Sequence, residues 1–137
     1  MLLANRTIFI VEDNTQNRVV FKMALVRHGA VVEFERQGTN CISQLKTLPH
    51  VDLIILDLML VSGTTGFDVF DQVRELPQFD HVPIIAVSAM EPAVAIPKVR
   101  QKGFDGFIPK PINAKEFPKQ VAKIIEGERI WASSLAR

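Results

Sequence analysis

One cysteine, one tryptophan and no tyrosine stand among 137 residues. The single Cys41 has no partner for an internal disulfide, so crosslinks cannot hold the fold and a reducing, cytoplasmic compartment is expected. An excess of one charge is lacking too: sixteen basic and fifteen acidic residues leave a formal charge of +1. That balance gives no broad field for nucleic acid or for an anionic membrane surface. No apolar run approaches the roughly 20 residues that a bilayer-spanning helix needs, and no cleavable signal pattern opens the sequence. Repeats, low-complexity tracts and Pro/Gly linkers are missing as well. The expected organisation is therefore one domain over 6–127, followed by a short mixed extension over 128–137.

What is present is apolar patterning. At 47% apolar and 23% charged residues, the chain can bury a core. Runs rich in Val and Ile read as buried strands at Thr7 to Val11, Val31 to Phe34, Val51 to Leu56 and Pro83 to Val87, with a weaker fifth at Phe104 to Ile108. Longer stretches with helical spacing separate them. Alternating strands and helices predict a doubly wound α/β fold, a parallel sheet covered on both faces. Gly29 and Gly103 read as helix stops, Thr39 or Asn40 as the cap of a second helix, and Pro92 as a first-turn residue. Pro97 should leave its helix kinked, short or mobile. The last helix is expected from Asn113 to Glu126, with Pro118 deleting one backbone bond near its start.

In sheets of this kind ligands bind beyond the carboxyl ends of the strands. The first strand ends in Glu12-Asp13 and the third in Asp57. Three carboxylates in one crevice raise one another's pKa unless a cation neutralises them, and oxygen ligands alone favour Mg²⁺ over zinc or copper. The fourth strand ends at the hydroxyl of Ser88, and the fifth leads into Lys110 and then Pro111. Acids to hold a metal, with a hydroxyl and an ammonium to hold oxygens, describe a phosphoryl group in transit onto a carboxylate.

These motifs, in this order, resemble the response-regulator receiver domains of two-component signalling over about Arg6 to Glu126. The resemblance implies a flavodoxin-like fold with five parallel strands in the order 2-1-3-4-5 and five helices. It implies that Asp57 is the phosphoacceptor and that Glu12, Asp13, Asp57 and the backbone carbonyl of Met59 serve Mg²⁺. Ser88, followed by Ala89, becomes the switch hydroxyl, Lys110-Pro111 the conserved-type pair with a cis bond, and Phe107 an aromatic that turns toward the core on phosphorylation. The implied phosphodonor is a histidine kinase or a histidine phosphotransfer protein. The output would pass to another protein, with no nucleic acid or membrane involved, from a monomer or a weak phosphorylation-dependent dimer. The role is signalling rather than enzymatic, beyond the domain's own phosphorylation and dephosphorylation.

The sequence departs from the family pattern after Asp57. Leu58-Met59-Leu60-Val61 replaces the usual Met-Pro pair, and Gly66 lies one residue further on, so the loop from Leu60 to Gly66 is expected to differ. The Gly63-Thr64-Thr65-Gly66 run lacks the Gly-Lys ending of a nucleotide loop and reads as a flexible turn. Met59 and Met90 flank the site and could shield an acyl phosphate from water. The first helix has one apolar stripe at Val20, Phe21, Ala24 and Leu25, and a second at Val19, Met23 and Val26. The second stripe either widens the core contact, the favoured account, or docks a kinase or phosphotransfer bundle. Ile130, Trp131 and Leu135 pose the same choice. Three rivals are weaker: an aspartyl phosphatase needs a second acid where Met59 stands, a pseudo-receiver need not keep every pocket group, and a flavin protein needs a phosphate loop in place of Glu12-Asp13.

Overall fold

The computed structural model describes residues 1–133. Its central strands are apolar on both sides because helices cover both faces of the sheet: β1 (Thr7–Val11), β3 (Leu53–Leu56) and β4 (Ile84–Ser88) are buried at every position. β2 (Val31–Glu35) lies at an edge and is only partly covered, and β5 (Gly106–Pro109) follows the fourth helix. The helices are α1 (Thr15–Val26), α2 (Cys41–Leu45), α3 (Gly66–Arg74), α4 (Pro92–Lys102) and α5 (Phe117–Ile125), with a short 3₁₀ turn at Pro77–Phe79.

A sixth strand, β6 (Ile130–Trp131), extends the expected order to β2-β1-β3-β4-β5-β6, all parallel. It arises from residues read as a loose extension. α5 brings the chain back as a crossover, and Gly106 lets the new strand approach, since a Cβ there would lie 2.9 Å from the Ile130 carbonyl oxygen. Trp131 pairs in register with Phe107, and the Arg100 guanidinium of α4 sits 5.0 Å from the indole ring. Packing is thus the role of Ile130 and Trp131, whereas Leu135 lies outside the described residues.

Alternate residues of each strand feed two cores. Phe9, Ile54 and Phe107 meet α2, α3 and α4 on one face, while Ile8, Ile55 and Ile108 meet α1 and α5 on the other. Phe21 of α1 and Phe117 of α5 close the second core with ring centroids 5.6 Å apart. Gly29 and Gly103 take positive φ of 96° and 108° and stop α1 and α4 as expected. Asn40 stands at the α2 N-cap, although its side chain makes no capping bond.

Three expectations need correction. Pro97, expected to leave its helix kinked, short or mobile, does not shorten α4, which runs through it for 11 residues. α5 starts at Phe117, not Asn113, because Asn113 spends its side chain capping the amides of Lys115 and Glu116 in a preceding turn. Pro118 then falls in the first helical turn, where no N–H is needed. The second stripe of α1 does not widen the core: Phe21, Ala24 and Leu25 are buried, while Met23 is 68% exposed and Val19 52% exposed. No helix among the described residues is long and apolar enough to cross a membrane.

Candidate functional site

Parallel pairing brings the expected residues to one end of the sheet. Val11, the last residue of β1, is level with Leu56, the last of β3, so Glu12, Asp13 and Asp57 emerge side by side. Asp57 is locked by its N–H to the Val11 carbonyl at 3.2 Å, and Glu12 by its N–H to the Glu35 carbonyl at 3.1 Å. Ser88 closes β4, the neighbour of β3, and pairs with Pro109 of β5 just before Lys110. The Lys110 N–H then donates to the Ser88 carbonyl at 2.9 Å, which aims the lysine back over the sheet end. The Lys110-Pro111 peptide is cis.

Glu12, Asp57 and Ser88 are all buried, and Glu12 is only 1% exposed. One carboxylate oxygen from each of Glu12, Asp13 and Asp57 lies within 4.8 Å of the other two. The Lys110 ammonium sits among them, donating to Asp57 Oδ2 at 2.8 Å and lying 2.6 Å from Glu12 Oε1. Burial pulls the lysine toward neutrality, but its hydrogen bond to Asp57, its close pairing with Glu12 and their negative charge outweigh that pull and leave it raised. It is a firmly protonated counter-ion. The expectation that it faces the acids from across an anion site is thus modified, because its ammonium lies on them.

One cation for three acids leaves a deficit. Glu12 Oε1 is buried without an aligned hydrogen bond, the ammonium near it being out of line for one. Glu12 Oε2 accepts from the Asn14 N–H at 3.2 Å. Asp57 Oδ1 accepts from the Met59 N–H at 3.2 Å, and Asp13 Oδ2 from the Val61 N–H at 2.6 Å. An orphaned, buried carboxylate oxygen inside a cluster of hard oxygen donors suits a hard cation, so this acidic group is able to hold a metal ion. Met59 itself is half exposed at the rim.

Ser88 Oγ accepts from the Met90 N–H at 3.2 Å, which leaves its own proton to donate. Phe107 is fully buried, so the ring expected to turn inward already lies inside, packed in the core under α4 and beside Trp131. The loop read as a flexible turn is braced instead: Met59 and Thr65 pair across its base, and Thr65 caps α3 in a reciprocal box with Asp68. Sequence reasoning gave no role at the site to Arg18, noted only in the Asn17-Arg18 pattern after the acids, whose guanidinium holds the Glu12 carbonyl at 3.0 Å, and it missed Glu35, a buried acid at the end of β2. Glu35 could have been noticed, because it too is an acid at a strand's carboxyl end.

Residues 8–122 match the family model described as response regulator receiver domain. The polar-differentiation response regulator DivK of Brucella ovis is 30% identical over 112 residues, covering 82% of this chain and 89% of DivK. Histidine kinase 2 of Arabidopsis thaliana is 28% identical over 91% of this chain, in a stretch that is 12% of the kinase. Among solved structures, the chemotaxis protein CheY4 of Vibrio cholerae superposes with a TM-score of 0.80 at 22% identity, covering 88% of this chain and 99% of CheY4. A response regulator from Chloroflexus aurantiacus superposes at 0.79 with 25% identity, covering 88% of this chain and 98% of that one. With the strand-end acids, hydroxyl and lysine in the places described above, the chain belongs to the response regulator receiver domains of two-component signalling.

Proposed function

We propose that Asp57 accepts a phosphoryl group from a phosphohistidine on a histidine kinase or histidine phosphotransfer protein. The observation that carries this reading is the convergence of Glu12, Asp13 and Asp57, one oxygen of each within 4.8 Å of the others, with the Lys110 ammonium on two of them. A carboxylate oxygen of Asp57 attacks phosphorus as the P–N bond breaks, and the electron pair of that bond returns to the imidazole nitrogen. Asp13, Asp57 and the Met59 carbonyl would hold Mg²⁺, with Glu12 beside them, and the ion would supply charge neutralisation at the transferred group.

The protein's own groups do the rest by position. The Met59 N–H orients Asp57 through Oδ1. Lys110 exchanges its grip on Glu12 and Asp57 for the phosphoryl oxygens, and the free Ser88 proton donates to another of them. That exchange draws the β4–α4 connection inward, and Phe107, already in the core beneath α4, is the part of β5 positioned to sense the change. The apolar flanks Met59 and Met90 limit water at the acyl phosphate.

The exposed stripe at Val19, Met23 and Val26 runs along α1, whose amino end follows the acids directly in the chain, and it is our proposed docking face for the phosphodonor. The domain acts in the cytoplasm as a monomer or weak phosphorylation-dependent dimer, and passes its signal to a protein partner without turning over a substrate. Incubation with acetyl phosphate and Mg²⁺ tests the core assignment. Incorporation into the wild type and its loss in Asp57→Asn is the expected result; equal labelling of both would defeat it.

A further inference from the structure

Asp13 is the one acid of the cluster that Lys110 does not touch. Among the described residues its hydrogen-bond partner is the Val61 N–H, at 2.6 Å. The Val61 side chain is 93% exposed, so its contribution here is its backbone donor. A solvent-facing donor holds an acid in place only if the loop carrying it is itself held. This loop is anchored at several points. Met59 and Thr65 close its base, the Leu60 side chain is buried in the core, and the Gly63 N–H turns back onto the Leu60 carbonyl at 3.2 Å.

The remaining anchor leads away from the site. The Ser62 hydroxyl donates to the Gln37 carbonyl at 2.6 Å, in the turn between β2 and α2. That turn is fastened to the buried Glu35 carboxylate, which accepts from the N–H groups of Gln37 at 3.1 Å and Gly38 at 2.5 Å. The Cys41 thiol donates to the same carboxylate at 3.1 Å. Hydrogen bonds and packed backbone therefore run from Asp13 through Val61 and Ser62 to Glu35 and Cys41.

We propose that the Leu60–Thr65 loop is a brace that positions Asp13 for the cation, and that cation occupancy is thereby coupled to the β2–α2 turn holding Cys41. The physical reason is rotamer entropy. An Asp13 side chain held by one oxygen loses less freedom when an ion takes the other, so the brace lowers the cost of binding. Coupling is reciprocal: if the turn strengthens ion binding, the ion strengthens the turn. Val61 and Ser62 act as positioning residues, since neither is proposed to touch the transferred group.

This inference rests on the metal site proposed above, and the test separates the two. Mn²⁺ binding is titrated by the loss of the free-ion electron paramagnetic resonance signal in wild type, Ser62→Ala and Ser62→Thr. In parallel, Ellman's reagent labels Cys41, the only thiol, with and without saturating Mg²⁺. The expectation is roughly ten-fold weaker binding in Ser62→Ala, the low end for losing a group that orients a metal ligand, and wild-type binding in Ser62→Thr. Mg²⁺ should slow Cys41 labelling in the wild type and slow it less in Ser62→Ala. Binding by Ser62→Ala within two-fold of wild type, or an equal loss in both variants, overturns the brace and leaves the metal site standing. Equal Mg²⁺ protection of Cys41 in wild type and Ser62→Ala overturns the coupling. No Mn²⁺ binding by the wild type overturns the metal reading, and the brace with it.

Discussion

The two ends of the sheet use the same side chains to opposite effect. At the amino end, Asp52 stands one residue before β3 and accepts the Thr7 N–H of neighbouring β1 at 2.8 Å. Asp105 stands one residue before β5 and accepts the Ile84 N–H of neighbouring β4 at 3.0 Å. Each also faces an arginine, Arg6 at 3.5 Å and Arg74 at 3.7 Å. At the carboxyl end, Glu12 and Asp57 share one lysine that does not reach Asp13, and Glu12 Oε1 is left without an aligned hydrogen bond. The difference comes from the direction of parallel strands. Their amino ends present free N–H donors, which satisfy a carboxylate; their carboxyl ends present free C=O acceptors, which repel one. Acids at the first end are structural caps, whereas Glu12, Asp13 and Asp57 at the second form a group able to hold a cation, and Glu35 on the edge strand is satisfied by the turn that follows it.

That contrast can be broken most sharply at the acceptor. Asp57→Asn should lose acetyl phosphate labelling altogether, while Asp105→Ala should label like the wild type; phosphate-affinity gels would read both, and equal loss would erase the distinction. Next in size is Lys110→Ala, which removes the cluster's only ammonium. Leaving buried acids unpaired should cost roughly 3–5 kcal/mol of unfolding free energy in a chelator. Mg²⁺ should restore more of that loss than the gain of about 1.4 kcal/mol expected for the wild type at ten times its dissociation constant. Urea titrations with and without Mg²⁺ measure both, and a variant indifferent to Mg²⁺ would mean that the acids do not share an ion.

At the amino end, Asp105→Ala leaves the Ile84 N–H without its acceptor and should cost about 1–3 kcal/mol. Mg²⁺ should recover none of it, and a recovery seen by thermal melting would contradict the structural role of that end. The smallest effect on the domain itself belongs to neither end. A Val19→Ser, Met23→Ser pair on the exposed stripe of α1 should change stability by no more than about 0.5 kcal/mol per site and leave acetyl phosphate labelling intact. Transfer from a phosphohistidine donor should slow, and an unchanged transfer rate would remove α1 as the docking face.

Much of this was legible because strand ends are legible. Apolar runs rich in Val and Ile marked four of the principal strands and a weaker run the fifth, and the acids, hydroxyl and lysine at their ends could only gather at one edge. What escaped were features set by partners distant in sequence. The second stripe of α1 looks as apolar as the first, and only the sheet's position decides which side is covered. Pro97 carries a local signal against helix that the packing of Ala95 and Val99 overrides. β6 is two residues long, too short for any periodicity to announce it, and depends on a glycine 24 positions earlier in the chain.

Order along the chain was enough to predict which residues would gather at the carboxyl end of the sheet, because alternating strands and helices permit few arrangements and parallel pairing brings the strand ends together. Folding in three dimensions decided how those residues are held: Lys110 resting on the acids, an oxygen of Glu12 left over, and Asp13 tied to a loop 48 residues away. Such contacts depend on distances between backbones that meet only after the sheet has formed, and local propensity contains no measure of them.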